Sequence, residues 1–335
     1  MITIKDIAEA ANVSPATVSR VINNGPKVGP KTREHVKAVM DKMGYRPNIN
    51  ARALVTQKST SLGLVLAELM DPFFATYADA IEKVARKANT QLLMSSGSVQ
   101  ADTELKAIET LLNHRVKAMV VHAKFLDDDT LIQLARQAPG FVLINRYIDA
   151  IKHRCVWLDN IAGGRMMAEH VLKLGHRKIA VISSDFAIED RVQREQGIRE
   201  SLAEWGIDLS DSQIVHAAPN QEGGEIAMRQ LLAADARFTA ILAYNDAMAA
   251  GTINTLYDHN LEVPGDVSVM GFDDVLQAQF CRPKLTTMNY PIEWMASQAA
   301  SLALDYAQGK QPDTDVTYKY LPTIMARNSV ARCIG

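Results

Sequence analysis

The chain has 335 residues, 47% of them hydrophobic, which is enough for two or three domains with their own cores and too apolar for a disordered polymer. No apolar stretch approaches the ~20 residues that span a bilayer. Lys5, Asp6 and Glu9 stand where an export signal would need its apolar core, and the scattered Cys155, Cys281 and Cys333 offer neither a zinc-type pair nor a disulfide framework. A reducing cytoplasm is therefore expected, with no membrane contact, metal or cofactor. The near-neutral total charge hides an asymmetry: residues 1–58 carry ten Lys/Arg against four Asp/Glu, while the rest carries 26 against 34. A basic head on an acidic body suggests a polyanion-binding module joined to something else; the alternative is an ordinary solvated face.

Taken in chain order, the head predicts three short helices over residues 1–46. Thr3 and Asp6 form a capping-box pair before Ile4–Ala11, where Ile7, Ala8 and Ala11 make an apolar stripe. Ser14 is a good cap and Pro15 a good first-turn residue for a second helix ending near Asn23. Gly29-Pro30 opens a third helix, carrying Val36, Val39, Met40 and Met43 at helical spacing up to Gly44. Only a tight turn around Asn12-Val13 separates the first two helices, the geometry of a helix-turn-helix. The second helix is crowded with small hydrogen-bonding groups. Ser14, Thr17, Ser19 and Asn23 can approach phosphates, and Arg20 can reach a guanine edge with two hydrogen bonds. A small bundle with a polar face leaves that crowding unexplained. Residues 47–59 then read as a linker.

From Ser61 the texture changes to short apolar runs separated by amphipathic segments. "LGLVLAEL", "QLLMSS", "AMVVHA", "FVLIN", "CVWLD", "KIAVISS", "AILAYN" and "VSVMGF" predict strands, and Thr76–Ala88 predicts a helix. Alternating strand and helix implies right-handed crossovers and parallel sheets covered on both faces. Two doubly wound lobes dividing near Asp159 accommodate these strands better than one sheet, with a ligand between them at the strand ends. Phe73-Phe74, Asn145-Arg146, Asn245-Asp246 and Asp273-Asp274 follow such ends. Amides, guanidinium and carboxylates converging on a cleft suit a polyhydroxylated ligand. Each also has a plainer role: Phe73 and Phe74 as lobe core, Asp246 and Asp274 as helix caps, and Arg194 as one charge in the solvated run "EDRVQREQ". No P-loop, dinucleotide fingerprint, G-x-S-x-G or paired-histidine zinc spacing is present, and the glycines of "NIAGGRMMAEHVL" suit close helix packing better than phosphate binding. An enzyme is not expected.

"TIKDIAEAANVSPATVSRVINN", "KTREHVKAVMDKMGYRPNINARAL", "DPFF", "VVHAK", "PGFVLINR", "HRCVWLDN", "YNDAMAAG", "VPGDVSVMGFDDV" and "RPKLTTMNYPI" together resemble LacI/GalR-family bacterial repressors over nearly the entire chain, and most of all the galactose branch. The resemblance implies a helix-turn-helix headpiece (1–46), a hinge helix (47–59) and an effector-binding and dimerisation body (60–335). That body would be periplasmic-binding-protein-like, one lobe taking about 60–159 plus 291–318 and the other about 160–288 plus 319–335. It also implies DNA contacts from Thr3, Ser14, Pro15, Ala16, Thr17, Ser19, Arg20, Asn23, Lys27, Thr32, Tyr45, Asn48, Ala51 and Leu54, the last as a minor-groove wedge. Sugar contacts would come from Asn145, Arg194, Asn245 and Asp273, on a platform of Phe73 and Phe74, with Arg146 as a weaker addition. The expected partners are double-stranded operator DNA, a galactose-like inducer and a second copy of the chain. Another sugar or a purine corepressor, or a periplasmic-type sugar-binding protein, are the alternatives. Where the family often presents an aromatic to the ligand, this chain has Pro219-Asn220, which leaves the exact sugar open.

Overall fold

The computed structural model describes residues 2–23, 25–46, 61–234, 237–311 and 313–333. The chain divides into two compact units, 1–59 and 60–335.

In the first unit α1 (Ile4–Ala10) starts at Thr3, whose hydroxyl accepts from the Asp6 amide while the Asp6 carboxylate accepts from the Thr3 amide. α2 (Pro15–Ile22) is capped by Ser14, and α3 (Pro30–Lys42) follows Gly29 without a side-chain cap. Asn12 turns the chain between α1 and α2 at φ +52°, a conformation asparagine tolerates better than most residues. Ile7, Ala8, Ala11, Val18, Val21 and Val36 form the core. Arg33 on α3 donates to the carbonyls of Val21 and Gly25 at the far end of α2, supplying partners for backbone groups that a helix end leaves over.

The second unit holds two six-stranded sheets. The first is ordered β11-β5-β4-β3-β1-β2, from β1 (Ser61–Leu66), β2 (Gln91–Ser96), β3 (Ala118–Val121), β4 (Phe141–Ile144), β5 (Cys155–Leu158) and β11 (Tyr318–Tyr320). The second is ordered β12-β10-β9-β8-β6-β7, from β6 (Ile179–Ser184), β7 (Ile214–Ala217), β8 (Ala240–Ala243), β9 (Ser268–Asp273), β10 (Thr286–Asn289) and β12 (Thr323–Met325). Every pairing is parallel except β10 with β12. Helices alternate with the strands: α4 (Pro72–Lys87), α5 (Ala101–Asn113), α6 (Asp128–Gln137), α7 (Asn160–Lys173), α8 (Glu189–Glu204), α9 (Gln221–Ala233), α10 (Asp246–Asp258), α11 (Leu276–Phe280) and α12 (Ile292–Ala307).

The central strands are buried on both faces, which is why they read as unbroken apolar runs. Four strands escaped that reading: β7, β10, β11 and β12. In β10 the buried Thr286 and Thr287 replace apolar contact with hydrogen bonds, to the Arg327 amide and to Asp246. Helix α4 begins four residues before the expected Thr76, because the Asp71 carboxylate accepts from the Phe73 amide and Pro72 fits the first turn. The chain passes between the lobes at Asp159, at Tyr290-Pro291 and after Tyr320. The last crossing lies two residues beyond the expected 318, since Tyr318, Lys319 and Tyr320 still pair with β5 of the first sheet.

Candidate effector cavity and nucleic-acid interface

A cavity of about 170 Å³ lies between the two lobes at the C-terminal ends of their strands. It takes its walls from α4, α5 and the residues after β1, β2, β3 and β4 on one side, and from α8, the residues after β6, β7 and β8 and the end of β9 on the other. Six of the seven sugar-contact candidates line it: Phe73, Phe74, Asn145, Arg194, Asn245 and Asp273. Arg146 does not. Its guanidinium turns away to donate to the Ala123 carbonyl and to pair with Asp128 at 2.8 Å.

The phenylalanines are lobe core and also reach the cavity. Phe73 and Phe74 are at least nine-tenths buried, pack edge to face with each other at 5.3 Å, and still present surface to the cavity. Phe73 also meets Tyr290, on the second crossing, at 5.1 Å. Asn145 and Asp273 occupy the left-handed region, at φ +59° and +110°. This sharp turn at the end of β4 and β9 aims their side chains inward, at a backbone cost that asparagine and aspartate bear better than larger residues.

Arg194 is held from several sides. Nε donates to Asn160 Oδ1 at 2.9 Å, one Nη donates to the Tyr244 carbonyl at 2.7 Å, and the other lies 3.7 Å from Asp273. Its guanidinium sits 3.6 Å over the Phe272 ring, a cation–π contact that rewards a fixed planar cation. Burial pushes the Asp273 carboxyl well above its usual range, against the pull of Arg194. Asn245 caps α10, accepting from the Met248 amide and donating to the Pro219 carbonyl. Hence Asp246 is not the cap expected of it; its carboxylate accepts from Val275 N and the Thr287 hydroxyl. Asp274 likewise pairs with Arg327 at 2.6 Å instead of capping a helix.

Sequence reasoning missed several lining residues, chiefly Lys124, Asp190, Tyr244 and Asp71. Lys124 follows β3 as Asn145 follows β4, so the strand-end rule applied to "AMVVHAK" would have found it. Burial would raise Asp190, but Lys124 and Arg194 beside it hold its carboxyl below the usual range. His122 is held neutral, its pKa pushed down to about 3 by burial and by Lys124. Pro219 and Asn220 do line the cavity, with no aromatic ring to offer there.

In the helical unit, Thr3, Ser14, Pro15, Ala16, Arg20 and Lys27 are exposed, while Thr17, Ser19, Asn23, Thr32 and Tyr45 are half-buried. Ser14 and Thr17 hydroxyls bond each other at 2.9 Å, and Asn23 donates to Ser19 at 3.4 Å. Tyr45 packs against the small core. The remaining DNA candidates, Asn48, Ala51 and Leu54, lie outside the described residues.

The family model "Bacterial regulatory proteins, lacI family" matches residues 3–48, and "Periplasmic binding protein-like domain" matches 168–330. The HTH-type transcriptional regulator GalR of Salmonella typhimurium (strain SL1344) is 45% identical over 331 residues, 99% of this chain and 96% of the relative. The chain belongs to the LacI family. GalS of Salmonella typhimurium (strain LT2) is 43% identical over 99% of this chain and 97% of its own. The solved lac repressor dimer bound to operator and the anti-inducer ONPF is 25% identical, with a TM-score of 0.86 over 98% of this chain and 99% of that one. This LacI-family protein is thus a sugar-responsive, DNA-binding transcriptional repressor and not an enzyme. Regulators of the family bind operator DNA and sugar effectors and form dimers.

Proposed function

We propose that this LacI-family repressor works as a homodimer in the bacterial cytoplasm, where D-galactose enters the interlobe cavity and releases it from its operator. Each headpiece reads one half-site through α2, with Arg20 on a base edge and Ser14, Thr17 and Ser19 against phosphates. Two headpieces related by a twofold then read a near-palindrome.

One observation carries the effector reading: an aromatic wall of Phe73 and Phe74 lines one interlobe cavity together with Asn145, Arg194, Asn245 and Asp273. A pyranose has an apolar C–H face and hydroxyls that both donate and accept, so it matches such a pair of walls. Likeness to GalR and GalS over the whole chain favours galactose among sugars. The test is calorimetry with galactose, glucose, ribose, N-acetylglucosamine and hypoxanthine, with operator release followed by gel shift. Galactose should bind tightest and lower operator affinity. Tighter binding of a purine or amino sugar would refute the ligand, and stronger operator binding with galactose would reverse the inducer assignment.

A further inference from the structure

We propose that Lys124, anchored by Asp190, is a latch that sets how readily the two lobes close on an effector. Lys124 leaves the end of β3 in the first lobe, on a loop that Glu104 grips. The Glu104 carboxylate, 2% exposed, accepts from the backbone amides of Lys124, Phe125 and Leu126 at 2.7, 3.0 and 3.0 Å. Asp190 stands in the first turn of α8 in the second lobe. Lys124 Nζ and Asp190 Oδ1 are 2.6 Å apart, with side chains 5% and 7% exposed. The other Asp190 oxygen accepts from Asn145 Nδ2 at 2.9 Å, and Lys124 also donates to the Asn145 carbonyl.

Asp190 thereby holds two cavity-lining residues of the opposite lobe, through protein atoms alone. The rings of Phe125 and Phe186 meet edge to face beside it, at 5.9 Å. A buried charge deprived of its counterion costs far more than a missing surface pair. Closing the lobes therefore requires this pair to form, and opening them returns both groups to water. Lys124 and Asp190 are positioning residues in this sense. The ammonium has three N–H groups, two of them engaged by protein; on the sugar reading, the third is left for an effector oxygen.

The experiment compares wild type with Lys124→Met, Asp190→Asn and the double variant. Amide hydrogen exchange over 124–126 and 186–190 reads lobe opening, and calorimetry reads galactose affinity. Each single variant should speed exchange and weaken galactose by about a hundredfold or more, the lower range for breaking a buried pair. The double variant, with no orphaned charge, should exchange more slowly than either single one. Additive effects, or single variants that exchange like wild type, would overturn the latch. Lys124→Arg keeps the charge and must hold exchange near wild type; it decides the matter if a single variant fails to fold. Galactose failing to bind wild type would sink the ligand reading alone, because exchange is measured without sugar.

Discussion

At Asp273, burial raises the carboxyl well above its ordinary range, and Arg194 only partly offsets this. Sugar hydroxyls that donate to this group favour its ionised form, so binding must lower its pKa and release a proton. Galactose affinity should accordingly rise with pH, and calorimetry in buffers of different ionisation enthalpy should detect the released proton. Asp273→Asn removes the titration along with charge-assisted hydrogen bonds worth about 1.5–3 kcal/mol each. The variant should bind galactose at least tenfold more weakly, independently of pH, and stay on DNA at sugar levels that free the wild type; an unchanged pH profile would discount Asp273 as the titrating group. Asp246 gives a second pH effect, on stability. Burial pushes its pKa up to about 8 from the ordinary 3.8. An acid raised in the folded state takes up a proton on folding, so its contribution is full below the unfolded pKa and is lost as pH rises through the folded one. The thermal midpoint should fall between about pH 4 and 8, and Asp246→Asn should flatten that decline. The asparagine can still accept from Val275 N and donate to the Thr287 hydroxyl.

Helices α7 and α8 approach so closely that each needs a glycine at the contact. A Cβ on Gly164 would collide with the Arg194 carbonyl, and one on Gly197 with the Ile161 carbonyl. Helices α9 and α10 repeat the device, Gly224 against Met248 and Gly251 against Gln221. Gly197→Ala should cost about 1–3 kcal/mol in urea denaturation, the range for forced overpacking. Because Arg194 lies one turn earlier, galactose binding should weaken in the same variant; a loss of stability with unaltered sugar affinity would separate the packing from the site. Gly164, within "NIAGGRMMAEHVL", was legible as a packing residue, and the doubly buried strands as apolar runs; Gly197, Gly224 and Gly251 were not. The missed elements share a physical cause. β10 buries threonines whose hydrogen-bond partners lie about forty residues away, at Asp246 and Arg327. Asp190 sits in a run of charges that looks solvated, and its burial depends on Lys124, 66 residues earlier. Local periodicity carries no trace of such distant pairing. Arg146 misled in the opposite direction, since its neighbour Asn145 turns into the cavity and Asp128 draws the guanidinium outward.

For the whole molecule, the basic helical unit and the acidic lobes divide the work between DNA and sugar. Arg20→Ala should reduce specific operator binding by about 1–3 kcal/mol while leaving galactose calorimetry untouched. The same loss on random-sequence DNA would make Arg20 a phosphate contact. A two-half-site operator should also be bound far more tightly than a single half-site in a gel shift, as a twofold pair of headpieces requires. The three crossings between lobes bear on synthesis as well as on ligand binding. The first sheet acquires its second edge strand only at Tyr318–Tyr320, and the second gains β12 only at Thr323–Met325. On the ribosome, at ~5–20 residues per second, the helical unit can therefore fold long before either sheet is finished. Neither lobe can then mature ahead of the other, and a stop codon shortly before Tyr318 would leave both unfinished beside an already folded DNA-reading head.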